Sequence, residues 1–381
     1  MIFRRMLSQK KRLLIAFPLV ILSILFSSLS PVLAAGEEQS HSEEASHSPG
    51  DGEESFNAGT MIIDHIVDAH EWHILTTRTK HISIPLPVIL VDEGKVHAFM
   101  SSRFHHGHAS YKGYKLETDG KNKGKIVRVI IGDSMEADPN APPPLDLSIT
   151  KNVLSLFISC ILICIIFISV ARTYKKREGH SPKGLQSLLE PVILFVRDMA
   201  RSSIGEHHYE RFLPYLLTLF FFIFLNNLIG LVPFFPGGAN LTGNIAVTMV
   251  MALITFIITT FVGNKNYWKH IYNTPGVPWW LKVPLPLMPL VELMGVFTKP
   301  FILMIRLFAN ITAGHIIMLG FISLIFIFGN MNIVLGYSVS IVSILFAVFM
   351  GLLELLVAFI QAYVFTLLSS LYFGMAMEEH H

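Results

Sequence analysis

Between Phe212 and Met377 the chain carries only two carboxylates, Glu292 and Glu354. The bases of that stretch are Lys299, Arg306 and His315, apart from Lys265, Lys269, His270 and Lys282 in one loop. Everything around them is apolar, so each charge needs a partner or water. An arginine at bilayer depth costs from about 3 to more than about 10 kcal/mol, depending on how the cost is measured. A guanidinium does not give up its proton near neutrality, so Arg306 is a fixed charge and not a proton carrier. On a helix Ala309, Asn310 and Ala313 share a face with Arg306. The alanines admit the close approach of another helix, and Asn310 offers it a polar contact. The same spacing also suits a packing seam whose arginine reaches for headgroups.

His315 lies nine residues after Arg306, which turns it to the opposite face. Glu354 and Gln361 are seven apart on the last apolar run, one stripe separated by about 10 Å of rise. Antiparallel pairing of the two runs would bring Glu354 toward His315 and Gln361 toward Arg306. A His–Glu pair titrating near neutrality suits a proton relay, and a buried structural pair is the plainer alternative. Glu292 and Lys299 are also seven apart and either line a path or pair with each other.

The elements that position these residues are legible from the hydropathy pattern. The 381 residues are 52% hydrophobic and 15% charged, with a net charge of +2. A mean hydropathy of +0.55 points to the membrane class. Near-neutral charge implies no nucleic-acid partner. Residues 153–171 make a first span of bilayer length. Arg172, Lys175, Lys176 and Arg177 follow directly and mark that end as cytoplasmic. Residues 185–200, interrupted by Glu190, Pro191, Arg197 and Asp198, are expected to lie along the cytoplasmic surface. Spans are expected at 212–232 and 244–262, joined outside by a turn at 233–243. The runs from 284 to 328 and from 338 to 377 are each about twice the length that crosses a bilayer. They are expected to form a hairpin of two strongly tilted helices around a turn at 329–337, with the C-terminus in the cytoplasm.

At the other end, Arg4, Arg5, Lys10, Lys11 and Arg12 precede an apolar run and a Val32-Leu-Ala-Ala35 cleavage-like stretch. Residues 1–35 therefore read as a secretory signal, with an uncleaved first helix as the alternative. Residues 36–146 are then an exported segment, and 147–381 the membrane-embedded domain. Residues 36–58 have no apolar period and are expected to lack a packed core. A helix is expected over 61–70, one strand over 82–91, and another over 126–131. Ala141-Pro-Pro-Pro144 reads as a stiff linker. The exported histidines, His65, His70, His73, His105, His106 and His108, could hold zinc or collect protons, although scattered surface histidines are usually just solvated. Cys160 and Cys164 form no disulfide framework. No phosphate loop, nucleophile elbow or metal-binding helix motif is present, so neither a cofactor nor a resident metal is expected.

Lys299-Pro-Phe-Ile-Leu-Met-Ile-Arg306-Leu-Phe-Ala-Asn310-Ile-Thr-Ala-Gly314 closely resembles the hallmark stretch of ATP synthase subunit a. The likeness runs over roughly residues 145–381. It takes in Phe224-Leu-Asn-Asn227-Leu-Ile-Gly-Leu-Val-Pro233, the stretch from Asn244 to Leu253, and Gln361-Ala-Tyr-Val-Phe-Thr366. The resemblance implies an all-α polytopic membrane fold in which two long tilted helices face a rotating ring of c subunits. Arg306 matches the arginine that faces the ring carboxylate and keeps two half-channels from short-circuiting. Asn310 and Gln361 match its polar neighbours, and His315 and Glu354 the channel-lining pair on the external side. Asn227 matches a polar residue of the external path, and Glu292 one near the cytoplasmic exit. Gly230 stands where some members carry an aspartate, which leaves the outer route open.

The resemblance further implies a non-catalytic subunit of an F-type ATP synthase in a bacterial inner membrane. Its partners would be the c-ring, the subunit b stalk and the rest of the complex. A proton is the expected ion rather than sodium, because a His–Glu relay supplies few sodium-ligand oxygens. Two other readings are a stand-alone secondary transporter, which should show an internal repeat, and a membrane-tethered metal- or ligand-binding protein. The second leaves the intramembrane charges unexplained.

Overall fold

The computed structural model describes residues 59, 62, 67–77, 80–118, 122–129, 141–177, 180–232, 237–272 and 287–377. The signal-like segment, His65 and half of the expected 61–70 helix lie outside these residues, and residues 67–70, at the end of that stretch, are not helical.

The N-terminal unit is built from short strands. β1 (Glu71–Thr77) and β2 (Lys80–Pro85) form an antiparallel hairpin. β3 (Pro87–Asp92) lies between β4 (Lys95–Met100) and β7 (Leu145–Asp146) in an antiparallel sheet. β5 (Tyr114–Leu116) pairs with β6 (Ile126–Arg128). The single strand expected over 82–91 is thus two, separated at Leu86 between Pro85 and Pro87. Proline cannot donate to a ladder, and here the two prolines bracket the point where the chain changes sheets. The stiff linker runs straight into β7.

Val88 and Leu90 project from β3 into a small core with Phe104, Tyr114 and Ile126. Above it, Asp92 accepts hydrogen bonds from the Arg128 guanidinium and from the Tyr114 hydroxyl at 2.7 Å. The Arg128 guanidinium holds the Asp92 carboxyl below its ordinary range. Burial and the neighbouring Asp92 push Tyr114 up to about 12.

Among the described residues seven helices follow. α1 (Lys151–Lys176) starts where the sheet ends, since the Lys151 amide donates to the Ala69 carbonyl and the Asn152 amide to Asp68 Oδ1. This side chain satisfies one of the orphan amides at the helix start. Burial raises the Asp68 carboxyl, against the hydrogen bonds that favour its ionised form. α2 (Leu185–Ile204) is amphipathic. Leu188 is exposed, whereas Val196 and Ala200 are buried. α3 (Tyr209–Leu231) and α4 (Ile245–Val262) are spans, and Asn244 caps α4 through the Ala246 amide. α5 (Lys265–Tyr272) is a short helix in the segment where only a loop was expected.

α6 (Leu287–Met331) and α7 (Ile333–Met377) have 45 residues each. Each is about 68 Å long at helical rise, against a bilayer core of about 30 Å, so neither can cross upright within it. The turn expected over 329–337 is far tighter. The helices break at Asn332, whose side chain accepts from the Val334 amide and caps α7. The backbones can reverse so closely because Gly329 and Gly336 face each other. A Cβ on Gly336 would stand 2.7 Å from the Gly329 Cα.

Among the described residues five helices, α1, α3, α4, α6 and α7, are long and apolar enough to cross a membrane. Their shared core is made by Leu216, Phe220 and Ile223 of α3, Leu303 and Leu307 of α6, and Ala362, Phe365 and Phe373 of α7. Outward, Ile161 and Ile165 of α1 are about 60% exposed, the faces that lipid would cover.

Candidate functional site

The paired long helices bring His315 and Glu354 together. His315 Nδ1 lies 2.9 Å from Glu354 Oε1, and both side chains are about 95% buried. Gly314 makes room for this approach: a Cβ there would sit 3.2 Å from Glu354 Oε1. Glu354 Oε2 has no hydrogen-bond partner among the described residues. A lone buried carboxylate is expensive, and the His315 ring nitrogen is the polar partner that the fold supplies for it.

Asn227 of α3 lines the same space as the pair and is bonded at both ends of its amide. Its Oδ1 accepts from the Thr242 hydroxyl at 2.5 Å, and its Nδ2 donates to the Ala358 carbonyl at 3.3 Å. Thr242 ties the loop before α4 to the centre of the bundle. A narrow cavity lies between these groups, lined by Asn227, Gly230, Asn240, His315, Glu354 and Ala358 among others. Its volume is about 10 Å³, room for about one water.

Arg306 is elsewhere. It lies on an exposed face of α6 with Ala309, Asn310 and Ala313, beside the exposed Ile302 and Ile305. Among the described residues it makes no hydrogen bond or ion pair. Gln361 is buried on α7, and no hydrogen bond joins it to Arg306. The suggested pairing of those two is therefore not made within this chain, since one side chain faces inward and the other out.

Glu292 and Lys299 likewise form no ion pair within 4 Å. The Lys299 ammonium lies instead over the Tyr372 ring, 5.5 Å from its centroid, a cation–π contact between α6 and α7. Sequence reasoning passed over Tyr372, Asn240 and Thr242. The last two carried a signal in retrospect, because amides and hydroxyls cluster between Asn240 and Asn244 in an otherwise apolar stretch.

In the N-terminal unit His70 Nε2 meets Asp146 Oδ2 at 2.8 Å, and His106 Nδ1 meets Glu71 Oε2 at 2.7 Å. Burial works against the Asp146 carboxylate, but the His70 and Ser148 hydrogen bonds outweigh it and keep the group below its usual range. Among the described residues no three histidines, cysteines or acids gather in a metal-binding group.

Fold and site together define a polytopic helical membrane protein whose intramembrane titratable groups are concentrated on two long paired helices. Residues 153–374 match the family described as ATP synthase A chain. Residues 61–147 match a family described only as a domain of unknown function (DUF8433). The chain is 44% identical over 245 residues to ATP synthase subunit a of Chloroherpeton thalassium, covering 62% of this chain and 69% of that one. It is 45% identical over 238 residues to ATP synthase subunit a 2 of Chlorobaculum tepidum, covering 61% of this chain and 64%, just under two thirds, of the relative. ATP synthase subunit a of Myxococcus xanthus is 44% identical over 247 residues, with 62% and 76% covered. The chain belongs to the ATP synthase A chain family.

Proposed function

We propose that the chain is the proton-translocating stator subunit of a rotary F-type ATP synthase, itself without catalytic activity. The observation that supports this best is a separation of roles on α6. His315, paired with Glu354, is buried and titratable, while Arg306 is exposed, always charged and without a hydrogen bond or ion pair among the described residues. A fixed cation on an outward face calls for an anion on another chain, and a carboxylate on a rotating c-ring supplies one.

In this reading a proton enters from the external side past Asn227 and reaches the Glu354–His315 pair. From there it passes to the ring carboxylate. Arg306 attracts the ionised carboxylate and prevents the inlet and outlet from connecting, so protons cross only as the ring turns. Asn310 and Gln361 shape the approach to that carboxylate, and Glu292 lies toward the exit, where Lys299 and Tyr372 anchor α6 to α7. The ion is a proton, since the buried pair offers an acid and an imidazole but few oxygens for sodium.

The site in turn proposes a setting. Residues 1–35 would be a signal, 36–146 an exported unit and 147–381 the membrane domain of a bacterial inner-membrane protein with its C-terminus in the cytoplasm. The subunit b stalk would hold it against the ring. Gentle detergent extraction and affinity purification of the tagged chain test this. A ring of small hairpin proteins and a soluble ATPase head should come with it. Recovery of the chain alone from membranes with an intact synthase would contradict the reading.

A further inference from the structure

Asn240 lies in the loop between α3 and α4, 5% exposed, and its amide orientation is fixed. Oδ1 accepts from the Gly243 amide at 2.9 Å, and the side chain folds so tightly on Gly243 that a Cβ there would lie 2.1 Å from Nδ2. With Oδ1 engaged, Nδ2 is the free donor, and it has no partner among the described residues. Glu354, which lines the same cavity, has in Oε2 an acceptor without a hydrogen-bond partner among the described residues. Asn227 is engaged at both ends of its amide, by the Thr242 hydroxyl and the Ala358 carbonyl. Two residues that each carry an unpartnered buried polar atom, one a donor and one an acceptor, thus line a space that fits one water, the polar setting in which buried water is held.

We propose that Asn240 is a positioning residue that holds this water against Glu354 Oε2 and so makes the last relay before the acid, an inference that rests on the proton-translocating reading above. The water accepts the Asn240 N–H on one lone pair. On the other it takes a proton arriving from the external side as it gives one of its own to Oε2. One O–H bond forms and one breaks at the water, and a new O–H bond forms on the carboxylate. Glu354 Oε1 stays engaged by His315. The titratable groups lining the cavity are His315 of α6 and Glu354 of α7. The lining residues from α3 and the loop, Asn227, Gly230, Leu231 and Asn240, add none.

The test uses the whole synthase in liposomes, with ATP synthesis driven by an imposed pH difference and the inlet-side pH varied. Asn240→Leu fills the cavity with methyl groups and should slow synthesis about tenfold, the scale of one hydrogen bond to a charged group. Asn240→Asp places a second acid in the cavity and should raise the midpoint of the inlet-side pH profile by about one unit. An assembled Asn240→Leu enzyme at the parental rate would overturn the proposal. Should that variant fail to assemble, Asn240→Asp decides, and an unshifted midpoint overturns it. Arg306→Ala in the same liposomes separates the two ideas. Loss of synthesis there with unaffected Asn240 variants removes the water relay alone, whereas retained synthesis removes the stator reading itself.

Discussion

His315 Nδ1 and Glu354 Oε1 stand 2.9 Å apart across two helices that the chain reverses at a single residue, Asn332. The pair is 39 residues apart in sequence, so its geometry depends on the register of the α6–α7 hairpin. Exchanging the two residues keeps one acid and one imidazole in contact. The exchange variant should retain more ATP-driven pumping than either His315→Ala or Glu354→Ala. Damage equal to or worse than both single losses would mean that the pair does not act as a unit.

A second expectation concerns how α7 is seated. Gly374 lets the helix touch the α2 backbone, and a Cβ there would lie 2.1 Å from the Ser203 carbonyl oxygen. Backbone against backbone leaves little to yield, so Gly374→Val should destabilise the protein by about 1–3 kcal/mol. The measurement is thermal unfolding in detergent. An unchanged midpoint would show that α2 and α7 shift apart without cost.

Much of this arrangement was readable beforehand, and the exceptions have physical causes. The spans declared themselves by apolar length and by the basic cluster after the first. The His315–Glu354 contact followed from folding two long runs back on each other. The turn was misjudged because apolar residues continue through it, and only the Gly329–Gly336 approach and the Asn332 cap mark its position. α5 was missed because Lys265–Tyr272 has eight residues and no apolar run. The Asn240–Glu354 cavity joins a loop to a helix more than 100 residues away, a proximity that no local pattern encodes.

The N-terminal unit should show an acid transition. The Arg128 guanidinium depresses Asp92, so the folded-state value lies below the ordinary 3.8. A depressed carboxylate contributes stability that is fully present above the unfolded value and is lost as pH falls through the folded one. Hydrogen-exchange protection of the β3 and β6 amides in the intact protein, measured against the intrinsic exchange rate at each pH, should therefore hold steady at neutral pH and fall below about pH 4. Asp92→Asn should exchange faster at neutral pH and lose most of that acid step. A step of equal size in the variant would place its origin elsewhere.

Arg306 tests the account most directly. It is exposed, charged and unpaired on α6 among the described residues, and the proposed mechanism needs it to face a carboxylate of another chain. ATP-driven proton pumping by inverted vesicles carrying Arg306→Ala should be abolished, with assembly intact and passive proton leak retained. Coupled pumping at the parental rate by an assembled Arg306→Ala enzyme would contradict the account.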